Sequence, residues 1–344
     1  MNPIKAWNRF LFAPISARPL GLFRIVFGVL MMIYLLVMTV EFDHWYTDRG
    51  LLQGTESREA AGPFRLSPLH YVHDPITPRV LYAVTFAAAL GLTVGWRTRL
   101  MSVVLWLGML SFYHRNPSSN GGPDAMPAIL SFYEMLCPAG AAYSVDGRRE
   151  ERRRGTPAEP LIVPWSLRLL QMQICLVYFQ SCVIKCDGPT WMDGTATHYV
   201  LFNREFDWLN MEWLGAYPIL VNLMTHGAVL IEFALAFWLW FRPTRRWTIA
   251  AGILLHAGIR PVLNIPGFGE VMCATYLAFL DPDETMAVVR ALDPRAWLAR
   301  LGFRRPSLDF LRGRESPTAL ASWQQREFSF DHDGRAVPEP IMLR

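Results

Sequence analysis

The 344-residue sequence carries little charge and lacks the short motifs of metal and nucleic-acid sites. Charged residues make up 18% of the chain and hydrophobic residues 52%, so the chain is less charged than an average soluble domain. It contains no CxxC or HExxH spacing, which leaves a zinc site unsupported. It has no basic recognition helix that would point to nucleic acid. It also shows no internal repeat of the transporter kind.

The apolar residues are concentrated in long runs, which favours a protein that crosses the lipid bilayer several times. We predict an all-α, polytopic integral membrane helical bundle with about eight transmembrane spans. The fourth span contains Pro127, Glu134 and Pro138 and is expected to be broken or re-entrant. The predicted spans are residues 20–40, 79–95, 100–112, 125–142, 165–184, 217–240, 248–263 and 268–280.

Arginine residues set the predicted orientation, because loops that stay in the cytoplasm carry an excess of basic residues. They occur before the first span and in every second loop, whereas acids such as Glu41, Asp187 and Asp207 lie in the alternate loops. We therefore predict cytoplasmic N- and C-termini and a multi-pass protein of the bacterial inner membrane. The basic residues on which this orientation rests are Lys5, Arg9, Arg18, Arg97, Arg99, Arg148, Arg149, Arg152, Arg153, Arg154, Arg242, Arg245, Arg246, Arg290, Arg295 and Arg300.

The chain divides into three predicted parts: a cytoplasmic N-terminus at 1–19, a transmembrane domain at 20–280 and a polar cytoplasmic tail at 281–344. No small-x-small cleavage site follows the first span, so we expect that span to be retained. Within the tail, residues 286–301 could form an amphipathic helix on the inner membrane surface. The rest of the tail has too little apolar content for a folded domain and is expected to be extended or disordered.

The fifth span carries a polar face that leads to a lysine. Six of its residues recur at helical spacing and so share one face. A lysine that faced lipid would cost several kcal/mol, so such a face normally points into a bundle or a cavity. We therefore predict a functional site at Lys185. The alternative is that Lys185 only reaches out to the headgroups and anchors the helix. The face consists of Gln171, Cys175, Tyr178, Ser181, Cys182 and Lys185.

Two further spans carry polar side chains. His256, Arg260 and Asn264 lie at i, i+4 and i+8 on the seventh span, where they either line the same cavity as Lys185 or are satisfied bundle residues. Asn222 and His226 form a shorter stripe on the sixth span. Glu232 lies in the middle of that span, where a structural hydrogen bond is the safer interpretation.

Cys182 and Cys186 flank Lys185 four residues apart. As a pair they could carry quinone-linked redox chemistry, but this separation is awkward for a disulfide within an intact helix. We expect them to be packing residues.

Three segments resemble the vitamin K-dependent gamma-carboxylase and its bacterial relatives, the horizontally transferred transmembrane (HTTM) proteins. They are LGLFRIVFGVL at 20–30, YSVDG at 143–147 and VPWSLRLLQMQICLVYFQSCVIKCDGPTW at 163–191, and the resemblance extends over about residues 20–280. It implies a helical membrane domain and a lysine that deprotonates vitamin K hydroquinone, and Lys185 matches that position. A lysine removed from water can act as a neutral base.

The chain departs from the carboxylase in two respects. The carboxylase has a histidine before YSVDG, where this sequence has GGPDAMP with Pro123 and Asp124, and His114 lies ten residues earlier. It also has a large luminal domain, whereas this sequence continues into a short polar tail. Both departures argue against true peptide gamma-carboxylation.

Two hypotheses follow. In the first, the protein is a membrane enzyme in which Lys185 is the base, with Asp124 and His256 as polar catalytic partners. Its substrate would be lipid-soluble or a membrane-presented peptide, and its cofactor a quinone or vitamin K-like quinol. In the second, it is a non-catalytic maturation or export factor, or a scaffold, for a secreted peptide. A multipass transporter is a third alternative. The predicted substrate-binding residues are Gln171, Tyr178, Ser181 and Arg260.

The orientation can be tested with reporter fusions. A reporter fused after Gly155 should be cytoplasmic, because the preceding loop is rich in arginine. A reporter inserted near Asn203 should be extracytoplasmic. Alkaline phosphatase and fluorescent-protein activities distinguish the two sides. If both positions report the same side, the predicted topology and the outer position of Lys185 are wrong.

Overall fold

The computed structural model describes residues 2–117, 121–155, 159–203, 209–265 and 267–293, together with two short strands near the C-terminus. Glu205 and Asp207 lie outside the described residues, as do most residues of the predicted tail after residue 293 and, with them, the second half of the predicted helix 286–301. The α-helices are α1 (Pro3–Phe12), α2 (Arg18–Met38), α3 (Phe42–Tyr46), α4 (Gly54–Ala61), α5 (Ile76–Val94), α6 (Thr98–Arg115), α7 (Gly122–Leu136), α8 (Val145–Arg154), α9 (Trp165–Asp187), α10 (Pro189–Met192), α11 (Ala196–Leu201), α12 (Pro218–Phe237), α13 (Arg242–Val262), α14 (Phe268–Thr275) and α15 (Pro282–Ala291).

Strands are few and short in the described part of the chain. β1 (Ile15–Ser16) pairs antiparallel with β2 (Leu161–Ile162), and β3 (Ser329–Phe330) pairs antiparallel with β4 (Ala336–Val337). The first pair joins the start of α2 to the start of α9. The prediction of a helical bundle is therefore confirmed as far as the class of fold.

Four helices are long and apolar enough to cross a membrane: α2, α5, α9 and α12, the last with its 3-10 extension to Trp240. Helices α6, α7, α13 and α14 coincide with the other predicted spans but are shorter or less apolar. Within the predicted fourth span (125–142), α7 continues past Pro127 and ends at Leu136, and Pro138 precedes a 3-10 turn at Ala139–Ala141. The helix is therefore interrupted at Pro138, in agreement with a broken span, and not at Pro127.

The core lies around α2, whose buried apolar residues follow the helical repeat. Leu20, Phe23, Phe27, Met31 and Leu35 are fully buried, while α2 packs against α5, α14 and α15. Large apolar side chains on helices at the periphery of the bundle, such as α12 and α13, face away from its core. Examples are Leu223, Leu230 and Leu254, each more than 65% exposed, which suits a surface in contact with lipid.

A buried arginine joins α2 to two other parts of the bundle. Arg24 donates hydrogen bonds to the backbone oxygens of Leu92 and Thr93, at the end of α5, and of Tyr143, in the YSVDG loop (143–147). Carbonyl groups at a helix end lack partners within the helix, so a buried guanidinium satisfies several of them at once. The side chain is 0% exposed and is therefore committed to this structural role.

The YSVDG loop also caps the start of α6. The Asp146 carboxylate accepts hydrogen bonds from the backbone nitrogens of Arg97 (3.0 Å) and Thr98 (2.7 Å) and from the Thr98 hydroxyl (2.8 Å). Gly95 ends α5 with φ +79° and packs so closely that an added Cβ would lie 2.3 Å from the Ser144 Cβ. The loop therefore fixes the α5–α6 hairpin against the rest of the bundle.

Replacement of Asp146 should test this cap. We expect Asp146→Ala to lower the free energy of unfolding by about 1–2 kcal/mol, the usual cost of a lost helix cap. Glu151→Ala, on the exposed face of α8, is the matched control and should have little effect. Thermal unfolding in detergent is the measurement. Equal melting temperatures for both variants would contradict the assigned role.

The same contacts predict a pH dependence. Burial raises the pKa of Asp146, but the hydrogen bonds from Thr98 and Arg97 outweigh it, so the net shift is downward. A carboxyl whose pKa is lower in the folded than in the unfolded protein stabilises the fold at pH values above the unfolded-state pKa. This stabilisation is lost as the pH falls through the folded-state pKa. The difference in the free energy of unfolding between wild type and Asp146→Ala should therefore be largest at neutral pH. It should shrink as the pH falls below 3.8, the ordinary pKa of an aspartate side chain.

Candidate functional site

The Lys185 side chain turns back into the bundle. Its amine donates a hydrogen bond to the Ser181 hydroxyl (2.8 Å), one helical turn towards the centre of α9, and forms an ion pair with Glu232 of α12. The Lys185 side chain is 18% exposed and that of Glu232 9%. The amine also lies 5.0 Å from the centre of the Trp191 indole ring. Lys185 is therefore held by side chains and does not extend to the headgroups as a simple anchor would.

Glu232 is the partner that the sequence did not identify. The sequence predicts a polar neighbour for Lys185 from another span, but names Asp124 or His256 as the residue nearby. One Glu232 carboxylate oxygen bonds Lys185, while its other oxygen is buried without a hydrogen-bond partner among the described residues. The sequence did contain a signal for this pairing: Glu232 is an acidic residue in a different span from Lys185, and charged residues within spans usually pair with one another.

A second polar group lies deeper on the same face of α9. The Tyr178 hydroxyl is 2.9 Å from His256 Nε2 of α13 and 2.7 Å from the Tyr276 hydroxyl, which follows α14. All three side chains are at least 95% buried. His256 Nδ1 is buried and has no hydrogen-bond partner within the described part of the chain. The faces of α9 and α13 therefore meet, and Tyr276 is a member that the sequence did not reveal.

The two groups form one polar cluster across four elements. Tyr178 lies one turn before Ser181 on α9, and Ser181 in turn bonds the Lys185 amine. The cluster therefore combines a cation, a carboxylate, an imidazole and hydroxyl groups inside an apolar bundle. We define the polar cluster as Tyr178, Ser181, Lys185, Glu232, His256 and Tyr276.

Three predicted site residues lie outside the polar cluster. Gln171 is 14 residues before Lys185, about 21 Å along the helix, where it bonds the Ala278 backbone oxygen (2.7 Å) and Arg168 (2.8 Å). Arg260 Nε lies 3.6 Å from a carboxylate oxygen of Glu270, in an ion pair outside the polar cluster. Residues on one face of a helix point in the same direction but lie at different positions along its axis. The polar residues of α9 therefore contribute to two separate sites.

Asp124 caps the start of α7. Its carboxylate accepts a hydrogen bond from the Gly121 nitrogen (2.8 Å) and interacts with the Tyr34 hydroxyl of α2. The Tyr133 hydroxyl bonds Gln173 (2.9 Å), which sets α7 beside α9. Asp124 thus lies at the same end of the bundle as Lys185, but its described contacts are with other residues.

The remaining candidates have ordinary surroundings. Asn222 and His226 contact the backbone oxygens of Asp193 and Met192, each at 3.4 Å. Both cysteines near Lys185 are free thiols: Cys182 is buried, whereas Cys186 is exposed. In the described residues, no group of three or more His, Cys, Asp or Glu side chains could hold a metal ion.

Comparison with known proteins confirms the predicted resemblance to the HTTM family. The family model for the HTTM domain matches residues 12–283, which is most of the chain. The chain belongs to the HTTM family. One relative is the uncharacterized protein YitO of Bacillus subtilis (strain 168), which is 24% identical over 211 residues; these cover 58% of this chain and 66% of YitO. The match thus spans just under two thirds of this relative. No solved structure is significantly similar to the chain.

A double-mutant cycle should measure the coupling of Lys185 and Glu232. We expect Lys185→Met or Glu232→Leu alone to cost about 3–5 kcal/mol, because each leaves a buried charge unpaired. The double variant should lose less than the sum of the two single variants. The measurement is thermal unfolding of the four proteins in one detergent.

The more exposed Arg260–Glu270 pair is the matched control. Glu270→Gln should cost less than about 1 kcal/mol, as expected for a half-exposed pair. Additive losses at Lys185 and Glu232 would show that the two side chains are not coupled.

Proposed function

We propose that this HTTM protein is an integral membrane enzyme in which Lys185 acts as a base and Glu232 as its partner. The observation that carries the proposal is the direction of the Lys185 amine, which points into the bundle and is bound by Ser181 and Glu232. A lysine that served only as an anchor would direct its charge to the headgroups. An ion pair in an apolar bundle is costly and commonly functional.

The choice of lysine supports amine chemistry. All but two of the 33 basic residues of the chain are arginine, and the two lysines are Lys5 and Lys185. A guanidinium stays charged at any physiological pH, whereas an amine can lose its proton and accept another. Where the chain needs only positive charge, it uses arginine almost throughout. Lysine at position 185 therefore fits a role that arginine could not fill.

The pair can remove a proton from an acidic hydroxyl. In the resting ion pair Lys185 is an ammonium and Glu232 a carboxylate, so transfer of one proton from Lys185 to Glu232 first gives a neutral amine and a carboxylic acid. The amine then takes the hydroxyl proton of the substrate and becomes an ammonium again, and the substrate keeps the electron pair as an oxyanion. Ser181 and Glu232 hold the ammonium by hydrogen bonds. Glu232 then gives the proton that it took from Lys185 to water, which restores the ion pair.

The substrate or cofactor that fits best is lipid-soluble and quinol-like. The unpartnered Glu232 oxygen and His256 Nδ1 are two buried polar atoms, on α12 and α13, that a hydroxyl-bearing ligand could bond. When bound, such a group would supply the acidic hydroxyl, and Tyr178 and His256 would orient it. The likeness to the gamma-carboxylase supports a vitamin K-like quinol, while the absence of a matching histidine near Asp124 argues against peptide gamma-carboxylation.

We further propose eight spans with both termini in the cytoplasm of a bacterial inner membrane. Helices α6, α7, α13 and α14 would add to the four long apolar helices. The alternation of arginine-rich and acidic loops supports this orientation. Lys185 and Asp124 would then lie towards the outer side.

A non-catalytic role is the second candidate. In a maturation or export factor, the exposed outer residues would bind a secreted peptide without changing it, and the ion pair would only stabilise the fold. The favourable observation is the exposed aromatic surface of the outer segments, including Tyr199 and Trp213. Co-purification separates the two candidates: a stable, unmodified peptide favours the second, and a modified product favours the first.

Substitution of Lys185 is the decisive test. Lys185→Arg keeps the charge and the pairing with Glu232 but cannot act as a base, so it should abolish turnover as fully as Lys185→Ala. Arg260→Lys, which keeps a cation outside the cluster, is the control and should retain activity. The readout is the product of the pathway that the protein serves, with native mass spectrometry to detect a bound quinone or lipid. Full activity in a folded Lys185→Ala protein would exclude the proposed base.

A further inference from the structure

The Lys185 ammonium has three N–H groups, and each has a described neighbour. One bonds the Ser181 hydroxyl and one the Glu232 carboxylate. The third faces the Trp191 ring, 5.0 Å from its centre, which is the geometry of a cation–π contact. A substrate oxygen can therefore reach the nitrogen only in place of one of these three groups.

Trp191 is the neighbour that can be displaced at least cost. Ser181 lies on α9 itself, and Glu232 lies on α12, which packs closely against α9. Trp191 lies on α10, a helix of four residues without a buried member. α10 lies between Gly188, which ends α9, and Gly194, which has φ +82°. α10 contacts the end of α9 and α12, but because none of its four side chains is buried, little buried surface opposes a movement of this short segment.

We propose that Trp191 is a gate that covers the amine of Lys185 and is displaced when the substrate binds. This inference rests on the proposed function, because it concerns access to the same nitrogen. The ligand that replaces the indole would be a flat aromatic ring bearing an acidic hydroxyl. Its hydroxyl would give its proton to the nitrogen in the direction that the indole now covers, so that the resulting oxyanion accepts the third N–H, and its ring would occupy the space that the indole leaves.

The contacts of the segment that carries Trp191 also support a movement of this residue. The Gly194 backbone packs against Asn222 of α12 so closely that a Cβ there would lie 1.8 Å from the amide nitrogen. Asn222 and His226 reach the segment through contacts of 3.4 Å with the backbone oxygens of Asp193 and Met192. Gly194 therefore fixes one end of the segment at α12, while the part that carries Trp191 is weakly held.

Amine acetylation tests the gate without a substrate. Lys5 and Lys185 are the only lysines of the full chain, and Lys5 is exposed, so it serves as an internal reference. We expect N-hydroxysuccinimidyl acetate to modify Lys185 more slowly than Lys5 in the purified wild-type protein. Trp191→Ala should raise the Lys185 rate by about 3- to 30-fold, the range that loss of a cation–π contact implies.

The controls separate a gate from general loosening. Trp213→Ala removes an exposed tryptophan from another outer segment and should leave the Lys185 rate unchanged. Trp191→Phe keeps a ring over the amine and should give a smaller increase than Trp191→Ala; it also provides the test if the alanine variant does not fold. Peptide mass spectrometry over a time course gives both rates from one sample.

Two results would overturn the gate: wild-type Lys185 that reacts as fast as Lys5, or a rate unchanged in folded Trp191→Ala and Trp191→Phe. Failure of the proposed function is seen elsewhere, in the activity of Lys185→Arg and Lys185→Ala. An accelerated acetylation together with an active Lys185→Ala protein would leave Trp191 as a cover over a lysine that is not the base.

Discussion

Polar groups in an apolar helical bundle must be satisfied within the bundle, and this constraint shapes the molecule. Lipid offers no hydrogen bonds, so an unpaired buried polar group costs several kcal/mol. Arg24 meets the constraint by bonding three backbone oxygens at the ends of other elements. Lys185 meets it through Ser181 and Glu232. The two sites differ in one respect: Arg24 is fully enclosed, whereas the side chain of Lys185 is 18% exposed and its amine lies beside the Trp191 ring.

The ion pair is hard to explain as a device for stability alone. Replacing a buried pair by apolar side chains is often neutral or stabilising, because the attraction only offsets the loss of hydration. The Lys185–Glu232 pair joins α9 to α12, which already pack closely through apolar contacts. Its presence beside Tyr178, His256 and Tyr276 is more easily explained by a need for proton donors and acceptors at one place.

The sequence predicted the helices and the polar face of α9, because apolar run length and helical periodicity are local properties. It did not predict Glu232 as the partner of Lys185, since which helix packs beside α9 is decided by the whole bundle. Tyr276 was missed because a single tyrosine in an apolar stretch has no pattern of its own. Gln171 was grouped with Lys185 because periodicity fixes the direction of a side chain and not its depth. Asp124 was placed by analogy with a histidine position, and its capping of α7 depends on the local backbone.

The three motifs that connect this chain to its family have different physical roles. Arg24 of the first motif bonds the Tyr143 oxygen of the second, and Asp146 of the second caps α6, so these two motifs form one structural unit. Their presence in a relative would follow from the shared fold, whether or not that relative performs any reaction. The third motif carries Tyr178, Ser181 and Lys185, which face a carboxylate and an imidazole from other helices. Family membership alone therefore supports the architecture. The case for chemistry depends on whether a relative has both a lysine at the position of Lys185 and a carboxylate at the position of Glu232.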